Sequence, residues 1–267
     1  MKTYQERRSR PAAAPALACA LALTCAAAGP AAAQKPLLPG VGTEDRRVAV
    51  DAEAPPWRSL VRVQTNLGGR CTGVLVAPAR VATAAHCLFN PRTRRYLPAS
   101  SLHVLVGYAR GEYRQHLTVT SFVTDPAHDP KGPAGQGMAT DWAVLALSAP
   151  VPADVAPLPL AQTPPPPGAA LRLGGYSQDK SQILTADLAC RALGVGQAPG
   201  GPVLVHDCAG TRGTSGAALF AEQGGVWSVV GIAVAVARQA GQERRNFAVP
   251  SAVFAAAARE SGSAGQP

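Results

Sequence analysis

Lysine is scarce in this 267-residue chain, 4 residues against 21 arginines, and aromatic side chains make up only 5%. Also missing is an apolar run of the roughly 20 residues that a transmembrane helix needs. The apolar N-terminal stretch, residues 16–28, covers 13 positions between Pro15 and Pro30. With Lys2, Arg7, Arg8 and Arg10 before it and Ala31-Ala32-Ala33 after it, the layout is that of a secretory signal peptide, residues 1–33. Lipid attachment at Cys19 or Cys25 is disfavoured, because Ala16-Leu17-Ala18 and Ala22-Leu23-Thr24 lack the leading leucine of that signal. No membrane anchor is expected.

Long helical periodicity is absent as well, which argues against alternating strands and helices. No histidine follows His206, so a Ser, acid, His order along the chain is excluded for any serine beyond that point, and with it an α/β-hydrolase. Basic residues are scattered. Only Arg92, Arg94 and Arg95, and then Arg244 and Arg245, cluster, and each cluster reads as a solvated loop. The chain without its leader carries a formal charge of +6, too modest to imply nucleic-acid binding.

Four cysteines remain after the leader: Cys71, Cys87, Cys190 and Cys208. An even number in an exported chain points to two disulfides with three connectivities open, and pairing of sequence neighbours is the simplest. The rival is a zinc site from Cys190, His206 and Cys208, which offers only three ligands at poor spacing. No metal and no cofactor are expected.

What is present is a series of short runs rich in β-branched residues, at 60–64, 71–76, 80–84, 102–108 and 117–123, separated by turn clusters. A proline-rich passage, 150–168, then interrupts the pattern, since proline cannot donate ladder hydrogen bonds. Strand signals resume at 170–176, 203–208, 217–220, 226–236 and 246–249, and an alanine-rich helix is expected over 251–260, capped by serine. The domain plan is therefore an arm or propeptide at 34–51, with Arg47 as a plausible processing site, and a β-domain at 52–149. A linker at 150–168, a second β-domain with the helix at 169–262 and a tail at 263–267 complete it.

Within the second half, Gly210-Thr211-Arg212-Gly213-Thr214-Ser215-Gly216-Ala217 is a small-residue loop around one hydroxyl. A serine oxygen is a weak nucleophile unless a base takes its proton and donors stabilise the oxyanion. His86 follows a strand signal in Val81-Ala82-Thr83-Ala84-Ala85-His86-Cys87, and a Cys71–Cys87 bridge would pin it. Asp141 opens an otherwise apolar strand, Trp142 to Leu147, and a carboxylate entering a core needs a hydrogen-bond partner such as an imidazole. Taken singly, each of these residues reads equally well as structural.

Together, and in the order His86, Asp141, Ser215, the segments resemble the trypsin/chymotrypsin family, whose marks are Thr-Ala-Ala-His-Cys, an aspartate opening an apolar strand, and Gly-x-Ser-Gly. The resemblance implies an all-β fold of two six-stranded antiparallel β-barrels with a catalytic cleft between them and a C-terminal helix. It implies His86 as base, Asp141 as its orienting partner, Ser215 as nucleophile, and the N–H groups of Gly213 and Ser215 as oxyanion hole. The Cys190–Cys208 pair then follows by elimination.

The departures are informative. Thr214 stands where digestive members carry the aspartate that pairs with a newly cut N-terminus, and in this the chain resembles the bacterial branch that includes glutamyl endopeptidases. Counting back from Ser215 puts Ala209 at the pocket floor, so trypsin specificity is not expected, and Asp207 is two residues out of place. Ala233 stands where glutamyl endopeptidases have histidine, Val234 where many members have a serine that supports the aspartate, and Val236 where many have glycine. With Gly210 these residues suggest a shallow apolar pocket, unless His206 or Arg212 reaches it. The expectation is a monomeric, secreted or periplasmic serine endopeptidase acting on polypeptides. The runners-up are an inactive protease-fold binding protein and an esterase with the same triad. Arginine in place of lysine suggests a GC-rich bacterial genome.

Overall fold

The computed structural model describes residues 38–132, 137–236 and 244–259, all in one compact unit. The signal-peptide reading, Glu260, and the tail at 263–267 lie outside the described residues.

After a short arm strand β1 (Val48–Ala49), the first half contributes β2 (Leu60–Thr65), β3 (Arg70–Ala77), β4 (Arg80–Thr83), a small hairpin β5 (Phe89–Asn90) and β6 (Arg95–Tyr96), β7 (Leu102–Val106), β8 (Gln115–Thr124) and β9 (Ala143–Leu147). The second half contributes β10 (Ala170–Gly175), β11 (Thr185–Ala198), β12 (Gly201–His206), β13 (Ala218–Gln223), β14 (Val226–Ala235), β15 (Asn246–Pro250) and the helix α1 (Ser251–Arg259).

The order β2-β3-β4-β9-β8-β7 closes the first barrel, all pairs antiparallel. Alternating positions such as Val61, Val63, Leu75, Val81, Leu102, Val104, Leu117 and Leu145 fill its interior. In the second half the sheet runs β11-β10-β13-β14-β15-β12, and β12 pairs back with β11, which closes a six-stranded ring. The arm strand β1 adds a seventh member on the outer edge of β11. A third apolar cluster, with Trp57, Leu60, Tyr108, Trp142, Tyr176, Phe220, Ile232 and Phe254, welds the two barrels and the helix together.

The strand expectations hold with shifts of one to three residues, and four strands carry no expectation: the short β1, β5 and β6, and β11. The longest strand, the 14-residue β11, carries no signal of its own. Its inward positions are small or polar, Ala186, Asp187, Cys190 and Ala192, while Leu188, Leu193 and Val195 are exposed. The hydrophobic alternation is thus inverted relative to burial.

The passage 150–168 is not a free linker. Val151 and Val155 sit in the first barrel's core, and Leu160 pairs with Val229 of β14. Ser251 does not cap the helix through its hydroxyl. It donates to the Ala161 carbonyl at 2.6 Å, fastening α1 to this passage.

The arm packs on the second barrel. Gly40 sits at φ +80°, and a Cβ there would collide with the Gly210 carbonyl and Val236. Its carbonyl accepts the Gly210 N–H at 3.1 Å and Asn246 Nδ2 at 2.9 Å. Arg46 reaches the fully buried Asp187 at 3.0 Å. Arg47 is itself buried, clasped by Asp45 and Asp179, so in this conformation it is closed to a processing enzyme. Desolvation raises the pKa of both carboxyls, but the hydrogen bonds and charge of Arg47, together with Lys180, outweigh it and hold both below the ordinary range. Arg244 is no solvated loop residue either. It bonds the carbonyls of Asp207, Val41 and Glu44 and staples the arm, whereas Arg245, Arg92, Arg94 and Arg95 are exposed.

Candidate active site

His86 lies on a single turn of 3-10 helix, Ala85–Leu88, directly after β4. Asp141 ends a similar turn, Met138–Thr140, just before β9, the strand that pairs with β4. The register Thr83 to Ala143 therefore sets the two side chains side by side. Asp141 Oδ1 accepts the His86 backbone N–H at 2.9 Å, and Oδ2 lies 2.6 Å from His86 Nδ1.

Burial opposes charge on both partners. Against it, the charge and hydrogen bonds of His86 hold the Asp141 carboxyl below its ordinary value, with a smaller contribution from His128. The Asp141 charge and its hydrogen bond raise His86 above 6.5 in the same way. An ionised Asp141 accepts only, so Nδ1 carries the proton and the Nε2 lone pair of neutral His86 is left for another acid. The imidazole keeps 42% of its side-chain surface exposed, so that edge is accessible.

Ser215 precedes β13 on a loop that the first barrel holds. Its carbonyl accepts the Thr72 N–H at 2.9 Å, and Cys87 Sγ lies 3.9 Å from the same oxygen. Thr72 Oγ1 donates to the Gly213 carbonyl at 2.9 Å and accepts the Tyr176 N–H, tying both barrels to the loop. Gly213 (φ +89°) and Gly216 (φ +78°) both need glycine. A Cβ on Gly213 would press on the Tyr176 carbonyl, and one on Gly216 would strike Thr83 Oγ1 and the Thr72 carbonyl.

The N–H groups in this loop fall into two sets. Those of Thr214, Gly216 and Ala217 donate to the carbonyls of Thr211, Ala233 and Thr214. Those of Gly213 and Ser215 donate to no described residue, leaving two adjacent donors for an incoming oxyanion. Thr214, where digestive members carry aspartate, anchors the loop without charge: its Oγ1 lies 3.0 Å from Ser177 Oγ and accepts the Thr211 N–H.

Beside Ser215 is a cavity of about 80 Å³ bordered by Gly210, Thr211, Thr214, Ala233, Val234 and Val236, together with His206 and Arg212. Four of the five expected pocket residues are on it. Ala209 is not. It is buried off the cavity, its N–H donating to Asp187 at 2.8 Å. Position counting misses this because it does not see that the Ala209 backbone is committed to Asp187 of β11. Asp207 is likewise committed elsewhere, accepting the Arg191 N–H at 2.6 Å.

The cysteines form two disulfides, Cys71–Cys87 and Cys190–Cys208. Both sulfurs of the rival zinc site are thereby consumed, and oxidised sulfur is not a thiolate ligand. Among the described residues, the clusters with metal-ligand spacing are Cys71, His86, Cys87 and Cys190, Asp207, Cys208, each containing one of these bridges.

Sequence reasoning missed His128. Its Nε2 is 3.9 Å from Asp141 Oδ1 with no hydrogen-bond partner among the described residues, and Thr140 Oγ1 lies 3.2 Å from its Nδ1. It flanks the carboxylate from the loop before β9, where Val234 offers nothing polar. A histidine 13 positions ahead of the aspartate is too weak a pattern to have shown this.

The sequence model of the family described as Trypsin matches residues 46–258. The chain belongs to the trypsin family. Its trypsin-family relatives include human serine protease 56, 30% identical over 192 residues, which cover 64% of this chain and 30% of that protein. A glutamyl endopeptidase of Bacillus licheniformis is 36% identical over 50 residues, 19% of this chain and 16% of that one. The matched stretches thus span less than a third of either relative. Among solved structures, a Glu endopeptidase in complex with MPD superposes with a TM-score of 0.67 at 19% identity, covering 82% of this chain and all of that one. The two-barrel trypsin fold is therefore shared with that structure, in keeping with the family match.

Proposed function

We propose that this chain is an exported endopeptidase that hydrolyses peptide bonds through an acyl-enzyme intermediate, with Ser215 as nucleophile, His86 as base and then acid, and Asp141 as the orienting carboxylate. The Ser215 Oγ proton passes to His86 Nε2 as the oxygen attacks the substrate carbonyl. The negative charge of the tetrahedral intermediate falls to the N–H groups of Gly213 and Ser215, each such donor being worth about 3 kcal/mol. Asp141 stabilises the imidazolium without taking its proton. His86 then protonates the leaving amine, and water repeats the sequence to release the acid. The single observation that carries this reading is the twofold contact of His86 with Asp141, next to Cys87, whose Sγ lies 3.9 Å from the Ser215 carbonyl on a loop that leaves two N–H groups unengaged among the described residues.

Residues 1–33 would direct export and leave by cleavage after Ala33, giving a secreted or periplasmic protein. Two disulfides suit that oxidising setting. The glutamyl specificity in the name of the bacterial relative is not carried over, because Ala233 supplies no donor or cation. Hydrolysis of a mixed peptide library by purified protein tests the reading: Ser215→Ala should lose on the order of 10⁵ to 10⁶ in turnover. Hydrolysis undiminished in that variant would overturn it.

A further inference from the structure

His206, the last residue of β12, is a histidine for which the triad has no use. It is completely buried and borders the cavity beside Ser215. Its two nitrogens are in different situations. Nδ1 accepts the Cys208 N–H at 3.2 Å, so in the neutral ring the proton sits on Nε2. Nε2 has no hydrogen-bond partner among the described residues. Buried polar groups are nearly always paired, and leaving one unpaired costs about 1–3 kcal/mol. Such a donor at the edge of a cavity is satisfied when a ligand supplies the acceptor.

We propose that the Nε2–H of His206 is the specificity donor of the substrate pocket and reads an uncharged carboxamide, the side chain of glutamine or asparagine, on the residue whose carbonyl Ser215 attacks. This rests on the endopeptidase reading above. Burial drives the His206 pKa down to about 3 against a smaller upward pull from Asp187, so the ring is a neutral donor at the pH where His86 is a base. Lysine and arginine carry no acceptor, and no acidic residue borders the cavity. A carboxylate would be buried against Leu173, Ala233 and Val234 beside the neutral His206, while Arg212, which also borders the cavity, is exposed, where a charge pair is worth little. At about 80 Å³ the cavity admits a few heavy atoms, not an aromatic ring. Aliphatic side chains fit but leave Nε2–H unpaired, which is the more discriminating failure.

The test is a set of peptides identical except at that residue, carrying Gln, Glu, Met, Leu or Lys, with competent enzyme counted by fluorophosphonate titration. The kcat/KM for Gln should exceed that for Met, its near-isostere without the carboxamide, by about 100-fold, and that for Glu by about 10-fold. In His206→Phe the Gln to Met ratio should fall to within about threefold. If the Phe variant yields no titratable sites, the wild-type ratio decides alone. Equal rates for Gln and Met, a ratio unchanged in the variant, or a preference for Glu would each overturn the assignment of His206 while leaving the endopeptidase reading intact. Failure of the wild type to react with the fluorophosphonate would defeat that reading first, and this one with it.

Discussion

The first barrel is filled with valine and leucine and buries few polar groups away from its cleft edge. The second packs Ala192, Ala217, Ala221, Ala233 and Ala248 around a disulfide, and encloses Asp187, His206 and Asn246. On the proposed mechanism the first half delivers the base and its carboxylate, His86 and Asp141, through the β4–β9 register. The second would deliver the nucleophile loop, the donors and the pocket, and it draws on borrowed support: the arm strand, Arg46, Arg244, and Thr72 from the other barrel. A generic chemical device can be built on an ordinary barrel, whereas a shaped pocket requires small side chains and buried polar groups that weaken a core.

The sharpest break of this division is Asp141→Asn, which keeps the geometry of the first half but favours the wrong histidine tautomer. Turnover of a cleavable peptide should drop by about 10⁴-fold while the midpoint of urea unfolding stays close to that of the parent. Next are the two bridges, which close loops of similar size, with sequence separations of 16 and 18. Removing either pair to alanine should cost about 3 kcal/mol in urea unfolding. Only loss of Cys71–Cys87, adjoining His86, should also lower the activity of protein that is still folded. Equal activity losses from both would erase the distinction between the halves.

Arg46→Ala strips the buried Asp187 of its cation, though two backbone N–H groups remain on that carboxylate. A destabilisation of about 2 kcal/mol is expected in urea unfolding, confined to the second barrel in hydrogen exchange. The smallest effect is expected from His128→Ala, a loss of less than about tenfold in kcat, because the ring stands 3.9 Å from Asp141 without a hydrogen bond to it.

This contrast also explains what the sequence made legible. The first barrel could be read from β-branched alternation, the family from compact motifs around His86, Asp141 and Ser215, and the Cys190–Cys208 bridge by elimination once Cys71 was paired with Cys87. Strand β11 could not, since its leucines face water and its buried positions are alanine, aspartate and cysteine. Ala209 lies off the cavity with its N–H held by Asp187, a residue 22 positions away, a tertiary contact that position counting does not see. His128 and the arm reach the site through tertiary contacts that no local pattern records.

The most direct measurement of the central claim is the rate of fluorophosphonate labelling as a function of pH, with the modified residue located by peptide mapping. Nucleophilic attack needs neutral His86, and Asp141 raises its pKa above 6.5, so the rate should fall as pH drops through a midpoint above 6.5. In Asp141→Asn that midpoint should move downward. Labelling at Ser215 alone with this profile is the result the account predicts; labelling elsewhere, or a rate indifferent to Asp141, would contradict it.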